Sequence, residues 1–264
     1  MFLNHFKMID MPFSEKPPID GILKDDRIDR GLAHISYLAS HATLGLITGN
    51  AGVGKSSLIR LFIDAYKTKS FNLIYLHHTH LKALSFLKIL VTAMGEIPAH
   101  GKEKVFNQIQ TKIQNNNLTT IVLIDEAHLL DSDAFIDLRL LVSSAIEDYD
   151  GLKIVLFGHT DIKKELSRSR HESLHQRITI KYHLAPMTQG QTRQYIDFQI
   201  RRVNCSEKIF EEEVKNDIHN YARGIPRIVN KIATGCLINA YIENQQKINN
   251  GILLKTLKDI DIVN

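Results

Sequence analysis

An apolar, strand-like run, Leu44–Thr48, leads directly into Gly49-Asn50-Ala51-Gly52-Val53-Gly54-Lys55-Ser56. This octet constrains the fold more than any other stretch of the chain. It fits G-x-x-x-x-G-K-[ST], and the residues after it, Ser57–Ile63, have helical spacing, so the motif lies between a strand and a helix, as its chemistry requires. Glycines let successive backbone N–H groups turn inward as an anion nest, and the start of the following helix adds a positive dipole. Lys55 is spaced to reach the β- and γ-phosphates of a nucleotide, and Ser56 to ligate Mg²⁺. Gly49, Asn50, Ala51, Gly52, Val53, Gly54, Lys55, Ser56 and Ser57 are therefore the expected nucleotide-binding residues.

A second acidic motif completes the pattern. Ile121-Val122-Leu123-Ile124-Asp125-Glu126 reads as a buried strand ending in two carboxylates. Asp125 is expected to hold the Mg²⁺ hydration shell and Glu126 to act as general base on the attacking water. Acidic residues also cap helices. The order strand, phosphate loop, strand favours the catalytic reading over the capping one.

Around these motifs, short apolar runs alternate with helical spacing. Leu44–Thr48, Phe71–Leu76, Thr119–Ile124, Leu152–Phe157 and Ile178–Leu184 read as strands. The first, third and fourth are nearly continuous in apolar residues, as expected of strands covered on both faces. The alternation predicts an α/β fold, a parallel sheet with helices on both faces. After Leu184 only helical patterns remain, which places a boundary near residue 187: 1–187 as nucleotide-binding core with its lead-in, 188–264 as a small helical subdomain. Thr188-Gln189-Gly190-Gln191 fits a capping box. Phe210, Val214, Ile218 and Tyr221 form an apolar stripe, Pro226 suits the first position of a third helix, and Leu253–Leu257 suggests a short fourth.

Composition sets the remaining bounds. Apolar residues make up 44% of the 264 and charged residues 23%, which argues against disorder and against a disulfide scaffold. The two cysteines, Cys205 and Cys236, form no C-x-x-C pair and read as free thiols of a reducing compartment. No apolar run reaches membrane-span length and the N-terminus has no signal-peptide pattern, so a cytoplasmic protein is expected. The net charge of +4 permits nucleic-acid binding without demanding it.

Together the phosphate loop, IVLIDEAHLL, KIVLFGHTDI, HQRITIKYHLAPM and YARGIPRIVN resemble the AAA+ ATPases of the ExeA/GspA type. These are close to the transposition ATPases TnsC and MuB and more distant from the Orc/Cdc6 initiators. The opening HFKMIDMPF is similar to that family's aromatic-rich lead-in. The resemblance implies a P-loop core of the ASCE class with a C-terminal helical lid, ATP and Mg²⁺ as ligands, and self-assembly into rings or filaments with ATP at subunit interfaces. By position it implies that Arg177 is an arginine finger and that Arg227, in Gly224-Ile225-Pro226-Arg227, is the sensor of the second lid motif. Gly158-His159-Thr160 falls at the first sensor, where the family usually has Gln, Asn or Thr. His159 departs from that pattern, and either His159 or Thr160 could read the γ-phosphate.

Three other patterns compete for attention. His171-Glu172-Ser173-Leu174-His175 fits the zinc-protease H-E-x-x-H, but thirteen histidines make chance matches easier and no third ligand follows at zincin spacing. His77-His78-Thr79-His80 reads as a solvated loop after the second strand rather than a metal site, because neighbours on a strand face opposite ways. Lys82, Lys88, Lys102 and Lys104 read more readily as a solvated face than as a DNA contact.

The resemblance makes the leading expectation an ATP-hydrolysing, double-stranded-DNA-binding helper that selects target DNA and recruits a transposase. The secretion ATPases of the type usually carry a membrane anchor and a periplasmic region, and the absence of a span here favours the transposition branch. The alternative is a secretion-pathway ATPase that assists assembly of a cell-envelope complex. A third expectation is an ATP-dependent switch or scaffold.

Overall fold

The computed structural model describes residues 2–67, 71–77, 82–148 and 151–260. The helices are α1 (Phe2–His5), α2 (Asp26–His41), α3 (Lys55–Tyr66), α4 (Ala83–Ala93), α5 (Lys102–Gln114) and α6 (Ser132–Asp148), then α7 (Ile162–Leu166), α8 (Glu172–Arg177), α9 (Gln189–Arg202), α10 (Glu212–Ala222), α11 (Pro226–Ile242) and α12 (Asn250–Asp259). The strands are β1 (Leu44–Thr48), β2 (Phe71–His77), β3 (Thr119–Asp125), β4 (Leu152–Gly158) and β5 (Ile180–His183). The chain divides into two compact units, one of Ile28–Ala51 and Lys55–Leu184, the other of Met1–Arg27, Gly52–Gly54 and Ala185–Asn264.

The first unit is built on a five-stranded sheet of order β2-β3-β4-β1-β5 in which every pairing is parallel. The continuous apolar runs became the three central strands: β1 and β4 are buried throughout, and β3 at all but its first residue. The edge strands β2 and β5 alternate in burial. Along the central strands Leu44, Leu46, Val122, Ile124, Ile154 and Leu156 face a core shared with Phe86 and Leu90 of α4, Ile109 of α5 and Phe135 and Leu138 of α6. The residues between them, Ile47, Ile121, Leu123, Val155 and Phe157, are buried too, with Leu38 of α2 seated against Gly45 on β1. Both faces are therefore covered, as an all-parallel sheet requires. The last strand is shorter than its apolar run: Ile178 is in the core but precedes the ladder.

The second unit is helical. Its α9 opens with the expected capping box, in which the Thr188 hydroxyl accepts from the Gln191 N–H and the Gln191 side chain accepts from the Thr188 N–H. Pro226 stands at the start of α11, and α12 contains Leu253–Leu257. Phe210 differs from the reading of a single stripe: it lies before α10, bridged to Ile248, and packs edge-to-face on Phe13. The lead-in also differs from its sequence assignment to the core, because its contacts group it with the C-terminal helices. Phe6, Met8 and Phe13 are buried among Ile196, Val214, Ile218 and Leu237. Arg202 fastens the segment through Asp10 at 3.2 Å and the Met11 carbonyl at 2.6 Å. The aromatic residues of HFKMIDMPF thus complete a hydrophobic core.

Candidate nucleotide site

Parallel strands aim their C-terminal ends the same way, and loops at that edge gather ligand groups. Thr48 of β1 is in register with Gly158 of β4, and His77 of β2 with Asp125 of β3. The phosphate loop, the Asp125-Glu126 pair and Gly158-His159-Thr160 therefore emerge at one edge of the sheet.

The loop has the backbone that its spelling implies. Gly52 and Gly54 have φ of +79° and +113°, conformations that favour glycine. The Gly49 N–H donates to the Gly158 carbonyl at 3.1 Å, tying the loop's start to β4. Lys55 begins α3 and is buried, with its ammonium donating to the carbonyls of Gly49 at 2.9 Å and Asn50 at 3.1 Å. Ser56 follows, and Ser57 lies one residue further into the first turn. Asn50, Ala51 and Val53 lie between the loop's glycines, and Val53 buries its side chain completely.

Asp125 ends β3 almost fully buried. Its Oδ2 accepts from the Ser56 hydroxyl at 3.2 Å and the Tyr75 hydroxyl at 3.2 Å, and His77 Nδ1 lies 3.4 Å away. Its Oδ1 accepts from the Glu126 N–H at 2.9 Å. Burial, then the neighbouring Asp125 charge, pushes the Tyr75 phenol far above its ordinary range, so it remains a donor. Glu126 adopts a left-handed conformation, φ +51° and ψ +35°, which costs a non-glycine residue about 1–2 kcal/mol. Strain of this kind clusters at functional sites, although Lys7, Asn204, Arg223 and Asn244 share the positive φ. It turns the chain sharply after the strand, with Glu126 Oε2 3.3 Å from His128 Nδ1.

Beyond β4, the His159 N–H donates to His128 Nδ1 at 3.3 Å, and its own Nδ1 pairs with Asp161 at 2.7 Å. Arg177 ends α8 with its guanidinium on the Ser173 carbonyl at 3.1 Å and hydroxyl at 2.7 Å. Arg227 lies in the first turn of α11, where its N–H donates to the Gly52 carbonyl at 3.4 Å. A Cβ on Gly52 would meet the Arg227 Cβ at 2.8 Å, so this approach needs glycine.

The donor set fits a magnesium nucleotide: an anion nest of backbone amides, an ammonium held beside it, and a serine hydroxyl on an aspartate. Tyr75, His77 and His128 were not assigned roles from the sequence. His77 ends β2 rather than opening a loop, and its ring, exposed as expected, lies beside Asp125; His78, Thr79 and His80 lie outside the described residues. The H-E-x-x-H residues go separate ways. His171 Nε2 is 2.6 Å from the Ser132 hydroxyl, and His175 Nε2 is 3.2 Å from the Lys181 ammonium. Among the described residues no group of three His, Cys, Asp or Glu is placed to hold a metal. Nor, among them, is any helix long and apolar enough to cross a membrane.

Comparison with known proteins agrees with this fold. General secretion pathway protein A of Aeromonas hydrophila is 27% identical over 258 residues, covering 95% of this chain and 47% of that protein, so the chain spans about half its relative's length. Cdc6p of Pyrobaculum aerophilum superimposes with a TM-score of 0.77 at 15% identity, covering 96% of this chain and 72% of that one. The Aeropyrum pernix Orc1 protein, solved in complex with DNA, gives 0.68 at 13% identity, covering 97% and 69%. The AAA domain family model matches residues 38–166. Over those residues the chain is similar to the AAA domain family, and its five-stranded parallel sheet with helices on both faces has the P-loop NTPase fold of the AAA type.

Proposed function

We propose that the chain binds ATP with Mg²⁺ and hydrolyses it. Gly49–Gly54 and Lys55 bind the phosphates, Ser56 and Asp125 hold Mg²⁺, and Glu126 draws a proton from the attacking water. His159 or Thr160 reads the γ-phosphate, Arg227 senses it from the helical lid that begins at residue 188, and Arg177 reaches across to a neighbouring copy. The magnesium ion supplies charge neutralisation of the phosphates. The observation that carries the reading is the 3.2 Å bond from Ser56 to Asp125, with Glu126 next in the chain on a strained turn.

The cellular role proposed first is that of a helper in transposition: ATP assembles copies on double-stranded DNA, and the assembly recruits a transposase. Its support is the resemblance of the motif set to those of transposition ATPases. A net charge of +4 is small for a lone DNA binder, so contacts multiplied by assembly suit it. A second role, assembly of a cell-envelope secretion complex, is favoured by the 27% identity to general secretion pathway protein A. Fluorescence anisotropy with labelled duplex, with ATP, with ADP and without nucleotide, separates the two. Cooperative, ATP-dependent, salt-sensitive binding supports the DNA role. No binding with ATP at low salt, by protein that hydrolyses ATP, refutes it and leaves the secretion role.

A further inference from the structure

The Ala127–Leu129 turn after Glu126 packs directly on the end of β4. Gly158 permits this: a Cβ there would lie 3.3 Å from the His128 nitrogen and 3.6 Å from the His128 Cβ. The approach sets the His128 ring between two groups of the candidate site. Its Nδ1 is 3.3 Å from Glu126 Oε2 and also 3.3 Å from the His159 backbone nitrogen.

One imidazole nitrogen cannot serve both. The His159 N–H can only donate, so it needs a lone pair on Nδ1. An ionised Glu126 can only accept, so it needs a proton there. Burial depresses the His128 pKa, opposed by the Glu126 charge and reinforced by His159 and Lys55, so the ring is neutral near pH 7 and its tautomer selects the partner. The charged or titratable groups acting on it are Glu126, His159, Lys55 and Asp161.

We propose that His128 is a positioning residue that couples Glu126 to the loop after β4 through this single nitrogen. With a lone pair on Nδ1 the ring holds the His159 main chain and leaves Glu126 free to take the water's proton. With a proton on Nδ1 it holds Glu126 and releases the loop. A nucleotide that rearranges the loop thereby changes the availability of the base. The inference rests on Glu126 being the base for ATP hydrolysis.

Two measurements test it. Nitrogen-15 NMR of histidine-labelled full-length protein, with His128 assigned by its loss in His128→Gln, reads which ring nitrogen carries the proton. The expected result is a change of tautomer between the nucleotide-free protein and the protein with a non-hydrolysable ATP analogue and Mg²⁺. The same tautomer in both overturns the proposal. The second measurement is turnover. His128→Leu removes both contacts and should lower kcat about 10–100-fold with ATP affinity held, since mispositioning by about 1 Å costs up to about 100-fold. His128→Gln can still accept from the His159 N–H through its side-chain oxygen, which keeps the loop held with Glu126 free, and should recover most of that loss. Equal losses in the two variants, or none in His128→Leu, overturn the coupling. Absence of hydrolysis by the unaltered protein refutes the hydrolase reading instead, and the NMR result still decides the tautomer.

Discussion

Replacing Lys55 with alanine removes the ammonium that the loop carbonyls of Gly49 and Asn50 hold at 2.9 and 3.1 Å. Truncating one partner of a buried, hydrogen-bonded charge pair costs about 2–5 kcal/mol. Taking about 2.8 kcal/mol, the affinity for ATP falls about 100-fold. The consequence appears as a loss of ligand-induced stability. At an ATP concentration of about 100 times Kd, the unaltered protein gains about 2.7 kcal/mol. At the same concentration the variant sits near its own Kd and gains about 0.4 kcal/mol. With about 2–4 °C per kcal/mol for a chain near this size, the ATP-induced rise in Tm shrinks from about 5–11 °C to about 1–2 °C. Differential scanning fluorimetry with and without ATP and Mg²⁺ reads the difference. Each protein is its own baseline, so any change in the variant's nucleotide-free stability drops out. An undiminished rise in Lys55→Ala would refute the assignment of this loop to the phosphates.

Three further outcomes follow from particular contacts. Gly224 has φ +67°, and a Cβ there would collide with the Met187 carbonyl oxygen and lie 3.0 Å from the Met187 nitrogen; Gly224→Ala should therefore destabilise the helical unit by about 2–5 kcal/mol in a denaturant titration, strain and overpacking combined. Lys215 is buried between Asp197 at 2.6 Å and Glu212 at 2.7 Å; burial opposes its charge, but the two carboxylates outweigh it and raise its pKa. Its contribution is then full below the unfolded-state pKa of about 10.4 and fades as pH rises through the higher folded value, so Lys215→Met should cost about 1.5–3 kcal/mol at pH 7 and flatten the alkaline end of the stability profile. Mixing Arg177→Ala with Glu126→Gln should restore part of the turnover that each lacks alone if Arg177 acts across an interface; no rescue in oligomers shown to be mixed argues against that role.

Much of this arrangement was legible before any coordinates. β1, β3 and β4 betrayed themselves as near-continuous apolar runs because both of their faces are buried. The loop spelling and Asp125-Glu126 carried their chemistry in consecutive residues. What stayed hidden depends on register and close approach. Tyr75 and His77 reach Asp125 only because β2 pairs in parallel with β3 and places His77 opposite Asp125. His128 was visible within DEAHLL, yet its contacts arise from Gly158 admitting the turn against β4. Phe6, Met8 and Phe13 were legible only as an aromatic-rich lead-in to the nucleotide-binding core, since no periodicity marks residues that fill a core built far along the chain. Phe210 matched helical spacing by accident, being bridged to Ile248 before the helix begins.

The central claim is that Glu126, set on its left-handed turn beside Asp125, is the base for ATP hydrolysis. A single-turnover experiment with radiolabelled ATP on the unaltered protein and on Glu126→Gln, with ATP binding measured in parallel, tests it most directly. The account predicts ATP affinity within about 3-fold of the unaltered protein and hydrolysis slower by about 10²–10⁴-fold, the usual worth of a general base. Hydrolysis by Glu126→Gln at the unaltered rate would contradict it.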